Sequence, residues 1–344
     1  MCKFVIWLCT SVLLLGGGEA NSTALNKIRA LHLVTAGITP DQTYGIVDRA
    51  KSRHFNTLIL AVAWRGTTQL NSMPWAKPVR YQWTKRELVE VADYARNQGF
   101  EIVLGIELLT HQDVFFGDSL QNLMYNSSTY DPSKSEVYPV VFSVLDELIA
   151  LVHPKAIHIG HDELAGYWRN TRLGRKEIGL REGEAALPAQ YFLKDVQILN
   201  DYLVERGVET WMWGDMLISP DEFPEMHFAG MNGALPGYGK DLRDKLPRNI
   251  VICDWHYWGD GREFRSVDAF RHGGFRVLGA TWKNSVTTSS FSKYAAAHGA
   301  EGMVSTTWAI LGARSGTVLK TLDELYDVID SSGEVFARDF PDGK

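Results

Sequence analysis

An alternation of two patterns constrains the fold more than any other feature of the chain. Short apolar runs that read as strands lie at 30–34, 57–63, 102–107, 156–160, 208–213, 250–254, 277–281 and 303–308. Longer amphipathic stretches at 41–53, 85–99, 137–152, 188–206, 264–272, 288–298 and 320–332 alternate with them and read as helices. A strand reached through a helix pairs in parallel with the strand before it, because a parallel partner needs a crossover. Eight such units predict class α/β and a single (β/α)8 TIM barrel over 21–344. An open doubly wound sheet is the alternative, but no glycine-rich phosphate fingerprint follows the first strand. The connection from the fifth strand to the sixth carries no clear helix, and no second domain is visible.

The long connections, 64–84, 108–136, 164–187 and 214–249, all come after strands. In a barrel they gather as long loops on the carboxyl-end face, where barrel sites are built. Trp64, Trp168, Trp213, Trp255, Trp258, Trp282 and Trp308 fall at or just after strand ends. Packing alone would scatter large aromatics over both ends of the barrel. Their concentration predicts a pocket walled by indoles, whose faces suit the C–H faces of sugar rings and other flat ligands. The plainer reading is that bulky residues plug the barrel top.

The amino terminus reads as a signal peptide over 1–20. Lys3 precedes an apolar run from Phe4 to Leu15, and Gly18-Glu19-Ala20 supplies small residues for cleavage. The run falls short of the ~20 residues of a membrane span, so the mature form is expected off the membrane, in a secreted, periplasmic or lysosomal-type compartment. Cys2 and Cys9 lie in the leader. That leaves Cys253, in a strand, which reads as core packing. Asn21 and Asn126 begin glycosylation sequons. The net charge is −6 with no basic run, which argues against nucleic acid as a partner.

The most informative stretch is Ile157-His158-Ile159-Gly160-His161-Asp162-Glu163. Strand alternation turns the two isoleucines toward the helices and His158 and Asp162 into the barrel, with Glu163 on the rim. Two adjacent acids where an apolar strand ends cost stability through repulsion and desolvation, and packing does not require them.

This stretch resembles the His-x-Gly-Gly-Asp-Glu motif of the family 20 glycoside hydrolases, the β-N-acetylhexosaminidases, which ends strand four of a (β/α)8 barrel. The segment 95–107, Asp131-Pro132-Ser133, Trp168, Trp211-Met212-Trp213-Gly214-Asp215 and Thr307-Trp308 are similar to further family segments, over roughly 84–310. The resemblance implies an exo-acting, retaining mechanism without an enzyme nucleophile. The 2-acetamido oxygen of the substrate attacks the anomeric carbon and forms an oxazolinium ion, an exception to the two-carboxylate scheme. Glu163 would then be the general acid and base, and Asp162 would orient the acetamido N–H. One acid keeps its proton while its neighbour stays ionised. Asp254 and Tyr257 stand for the family's hydroxyl-binding Asp and its Tyr donor, although their order is not the family's. Trp213, Trp258 and Trp308 would wall the acetamido pocket, and His158, Glu107 and Asp215 join the substrate-binding candidates. The implied partner is a glycan ending in N-acetylhexosamine, with no metal and no cofactor.

The sequence also departs from the family. His161 stands at the motif's second glycine. The family's strand-one Arg has no counterpart, because Arg29 lies at the wrong end of its strand; Arg65 is a possible substitute. The run after strand three is reduced to Glu107 and His111, and the usual preceding α/β domain is missing. Two rival readings compete with the hydrolase. One is a non-catalytic sugar-binding protein on a degenerate barrel. The other is a metal-dependent hydrolase using His158, His161, Asp162 and Glu163, which strand parity opposes.

Overall fold

The computed structural model describes residues 27–342 apart from 63–66, 77–80, 113–115, 127, 165–180, 182–183, 185, 225, 227–230, 234, 260, 262 and 314–317. The leader, the first sequon, Trp64, Arg65 and Trp168 lie outside the described residues.

Eight parallel strands close into a barrel in sequence order, as the alternation predicts. They are β1 (Ile28–Val34), β2 (Thr57–Ala61), β3 (Glu101–Leu108), β4 (Ala156–Gly160), β5 (Glu209–Trp213), β6 (Val251–Trp255), β7 (Arg276–Thr281) and β8 (Gly302–Thr306). The helices are α1 (Pro40–Ser52), α2 (Lys85–Asn97), α3 (Val137–Val152), α4 (Ala189–Val204), α5 (Tyr238–Lys245), α6 (Arg265–His272), α7 (Ser285–Ala297) and α8 (Leu322–Asp339). Thr39 with Gln42, Thr84 with Glu87 and Thr321 with Glu324 form capping boxes. Each box satisfies backbone N–H groups that the first helical turn leaves unpaired.

Two elements differ from the sequence reading. The fifth connection does contain a helix, α5. It is short, and its charged residues leave Leu242 as the buried aliphatic side chain, so the apolar stripe is missing. Helix α8 runs on to Asp339, past residue 332 where the amphipathic pattern ends. Gly333 is helical, and a Cβ there would stand 2.6 Å from the Arg53 carbonyl oxygen, so its glycine marks a close approach of α8 to the end of α1.

Strand parity sorts the core into two layers. Ala30, Ile59, Val103, Ala156, Trp211, Val251, Leu278 and Val304 fill the barrel interior. Leu31, Leu58, Leu104, Ile157, Ile159, Met212, Ile252 and Val277 meet the helices. Cys253 is buried in the interior layer, and burial pushes its thiol pKa up. At the amino-terminal end the Arg29 guanidinium donates to the Phe340 carbonyl at 2.9 Å, which fastens the end of α8 beneath the barrel. Among the described residues no helix is long and apolar enough to cross a membrane.

The pairing of β3 with β4 is irregular near its carboxyl end. Gly105 pairs with His158 but Leu108 pairs with Gly160, so β3 carries one residue more than β4 between these points. Such a bulge re-aims side chains, and it lies beside Glu107.

Candidate active site

β4 ends in a turn that takes its chain through the left-handed region three times within four residues. The φ angles are +76° at Gly160, +68° at His161 and +47° at Glu163. A Cβ at residue 160 would stand 2.9 Å from Glu107 Oε2, so glycine lets β3 and β4 close up here. The turn sends His161 into the helix layer and leaves Asp162 and Glu163 on the rim. Asp162 is buried and Glu163 is half-buried.

His111 joins the two acids. Its Nε2 lies 3.4 Å from Asp162 Oδ2 and 3.8 Å from Glu163 Oε2. Burial alone would lower the imidazole pKa, but Asp162 first, then Glu107 and Glu163, outweigh burial and push it up to about 10. Burial would raise Asp162, but the His111 cation outweighs it and holds this carboxyl below its ordinary value. Burial and then the Asp162 charge push Glu107 up to about 8. At neutral pH the site therefore holds an ionised Asp162, a cationic His111 and an uncharged Glu107.

These groups open into a cavity of about 250 Å³ lined by Glu107, His111, Asp162, Glu163, Trp213, Trp255, Tyr257, Trp258, Trp282, Trp308 and Val318. Trp213 closes the floor from β5, and Trp258, 46% exposed, stands at the mouth. The Trp308 indole N–H donates to the Tyr257 hydroxyl at 3.0 Å, which fixes both rings. Of the predicted site residues, Asp162, Glu163, Glu107, Trp213, Tyr257, Trp258 and Trp308 share this cavity. Arg65 lies outside the described residues.

The other three do not line it. Asp254 lies between the inward Cys253 and Trp255, so alternation turns it to the helices. There its Oδ2 accepts the Ser266 hydroxyl at 2.6 Å. The parity rule applied to β4 would have excluded it. Asp215 is fully buried; its Oδ2 accepts the Glu163 backbone N–H at 2.8 Å and Asn232 Nδ2–H at 2.9 Å, and its Oδ1 accepts the Trp255 indole N–H at 3.1 Å. It therefore acts through Glu163 and Trp255. Burial, then the Asp162 charge, pushes its pKa up to about 7. His158 points into the barrel with its ring 4.2 Å from Trp213, and its Nδ1 accepts the Gly160 N–H at 3.2 Å. Burial, with His32 nearby, lowers its pKa to about 3, so the ring is neutral.

The sequence reading placed Trp255 and Trp282 only among the rim indoles, as the cavity confirms, named His111 only as a remnant of the run after strand three, and did not name His32. His111 had a signal, because it lies four residues after Glu107, just past a strand. His32 had one too: it occupies an inward position of β1, and its ring lies 4.9 Å from Trp308. A further signal is unmet hydrogen bonding. Glu107 Oε2, Asp162 Oδ1, Trp213 Nε1 and His158 Nε2 are buried without a protein partner. Buried polar atoms normally have one; the first three belong to residues that line the cavity and mark it as a place for a polar ligand, while His158 sits against Trp213.

The metal quartet suggested by sequence does not assemble, since His158 faces the barrel interior and His161 faces α4. Among the described residues, Glu107, His111 and Asp162 do place one ligand atom each within 4.8 Å of one another. His111 and Asp162 already form an ion pair with each other at 3.4 Å.

The model of glycosyl hydrolase family 20, catalytic domain, matches residues 21–277. The chain belongs to glycosyl hydrolase family 20. Structures of family 20 proteins share its fold. A chitobiase from Flavobacterium johnsoniae is 15% identical with TM-score 0.62, over 90% of this chain and 48% of its own. A β-N-acetylhexosaminidase from Bacteroides fragilis is 15% identical with TM-score 0.64, over 91% of this chain and 66% of its own. Dispersin B is 17% identical with TM-score 0.61, over 92% of this chain and 99% of its own. The family 20 chain described here thus spans about half the length of the chitobiase. No curated protein matches it in sequence.

Proposed function

We propose that this family 20 chain is an exo-acting, retaining β-N-acetylhexosaminidase that hydrolyses terminal 2-acetamido-2-deoxy-β-hexosides by substrate assistance. The observation that carries this reading is the pairing of Asp162 and Glu163 at the mouth of an indole-walled cavity, with His111 against both.

In the proposed reaction the acetamido oxygen forms a bond to the anomeric carbon as the bond to the leaving oxygen breaks, and Glu163 gives that oxygen its proton. The product of this step is a cyclic oxazolinium ion. Asp162, kept ionised by His111, accepts the acetamido N–H and faces the positive charge that develops there. Water then adds to the anomeric carbon, giving its proton to Glu163, and the ring reopens. Tyr257 is the donor proposed for the acetamido carbonyl, and Trp213 and Trp308 the walls around its methyl group. The cavity's volume, about 250 Å³, suits one sugar ring better than an internal chain segment, which favours exo action. The leader-like amino terminus supports export as part of the same proposal.

The test is turnover of a 4-nitrophenyl 2-acetamido-2-deoxy-β-glucoside against the matching β-glucoside. Release of nitrophenol from the first only, blocked by the thiazoline analogue of N-acetylglucosamine, is the expected result, because the thiazoline resembles the cyclic intermediate. Binding without release would favour a sugar-binding protein, and equal release from both glycosides would contradict substrate assistance.

A further inference from the structure

His161 stands where the resembled motif has glycine, and its surroundings give the exchange a purpose. Its φ of +68° is a conformation that side chains other than glycine adopt at a cost. Such strain persists only where the surroundings over-determine the position. Here they do. The ring is fully buried, Nδ1 lies 3.1 Å from the Ile159 carbonyl oxygen and Nε2 lies 2.9 Å from Asp195 Oδ2 on α4. The Phe192 ring meets the imidazole edge-on at 5.5 Å.

Asp195 is itself fully buried, which packing alone would not select. Its Oδ2 also accepts the Tyr130 hydroxyl at 2.7 Å, and its Oδ1 accepts the Tyr138 hydroxyl at 3.1 Å. Tyr130 belongs to the connection after β3, and its backbone N–H donates to the Leu109 carbonyl at 3.0 Å. Leu109 and His111 both have positive φ, so the exit of β3 is as sharply turned as that of β4. A continuous chain of contacts therefore runs from the β4 exit through His161, Asp195 and Tyr130 to the β3 exit. Asp162 sits at one end of it and His111 at the other.

We infer that the His161–Asp195–Tyr130 chain is a positioning device that fixes the exits of β3 and β4 against each other and so sets the approach of Asp162 to His111. The effect on rate rests on the hydrolytic reading above; the positional effect does not. An error of about 1 Å in such a contact lowers rate by about a hundredfold.

The test uses His161→Gly, which the left-handed backbone accepts, Asp195→Asn, and the double variant. Each single variant is expected to lose about tenfold to a hundredfold in kcat, with KM changed by less than about threefold. The double variant is expected to lose no more than the worse single one, because both break one chain. His161→Gln, which can still donate to Asp195, is expected to recover part of the rate. The ¹⁵N resonances of the His111 ring are expected to move in both single variants. Losses that multiply in the double variant, or a kcat that returns to wild type once corrected for folded fraction, would overturn the inference. So would unmoved His111 resonances. If the wild-type chain turns over no hexosaminide, the hydrolytic reading fails alone, and the His111 resonances still decide this one.

Discussion

Glu163→Gln is expected to lower kcat on an alkyl 2-acetamido-2-deoxy-β-glucoside by about 10²–10⁴-fold, the usual contribution of a positioned acid–base group. The loss should shrink for a 2,4-dinitrophenyl leaving group, which departs without a proton. This split is what identifies the residue as the acid, because a fold defect would depress both substrates alike. The amide keeps the size of the side chain and its distance from His111, and Asp215 still holds the backbone N–H of residue 163. The melting temperature is therefore expected to change little. Steady-state kinetics across leaving groups, with thermal unfolding beside them, measure both quantities. An equal loss across leaving groups would remove Glu163 from the acid role.

Asp162→Asn should cost about 10²–10³-fold in kcat, the scale of one preorganised electrostatic contact to developing charge. Two things change together in this variant. The side chain no longer carries the charge proposed to face the oxazolinium nitrogen, and His111 loses the largest of the influences that hold its proton. Burial opposes the His111 cation, and Asp162 leads the groups that overcome it. With Asp162 neutral, the imidazole should titrate well below its wild-type position of about 10. An NMR titration of the His111 ring checks this directly. A titration that does not fall would mean that Glu107 and Glu163 alone hold the cation.

The barrel was legible because strands and helices leave different periods in a sequence, and β1 to β8 show theirs in apolar runs uninterrupted by loops. Helix α5 was not, since five of its eight residues are charged. The acid pair was legible for a local reason: both residues sit together at the end of one apolar strand. Parity also set His161 apart from His158, and His161 lies on the helix side, where Asp195 meets it. The rest of the site comes from distant segments and obeys no local pattern. His111 reaches the acids only because the bulge in β3 and a positive φ at Leu109 turn the chain toward β4. Asp254 was legible by parity, since its neighbours Cys253 and Trp255 face inward, but nothing in the Asp215 segment alone revealed that its carboxylate is taken by protein donors. An acidic residue near a strand end is thus weak information until its face and partners are known.

Substrate assistance makes the sugar's own amide oxygen the attacking atom, so the rate must track that oxygen's nucleophilicity. The direct measurement is kcat/KM for a series of aryl 2-deoxy-β-glucosides carrying N-acetyl, N-fluoroacetyl, N-difluoroacetyl and N-trifluoroacetyl groups. The account predicts a steep, monotonic fall along the series as fluorine withdraws electrons from the carbonyl. A flat series would mean that the amide does not attack, and that the site cleaves its substrate by another route.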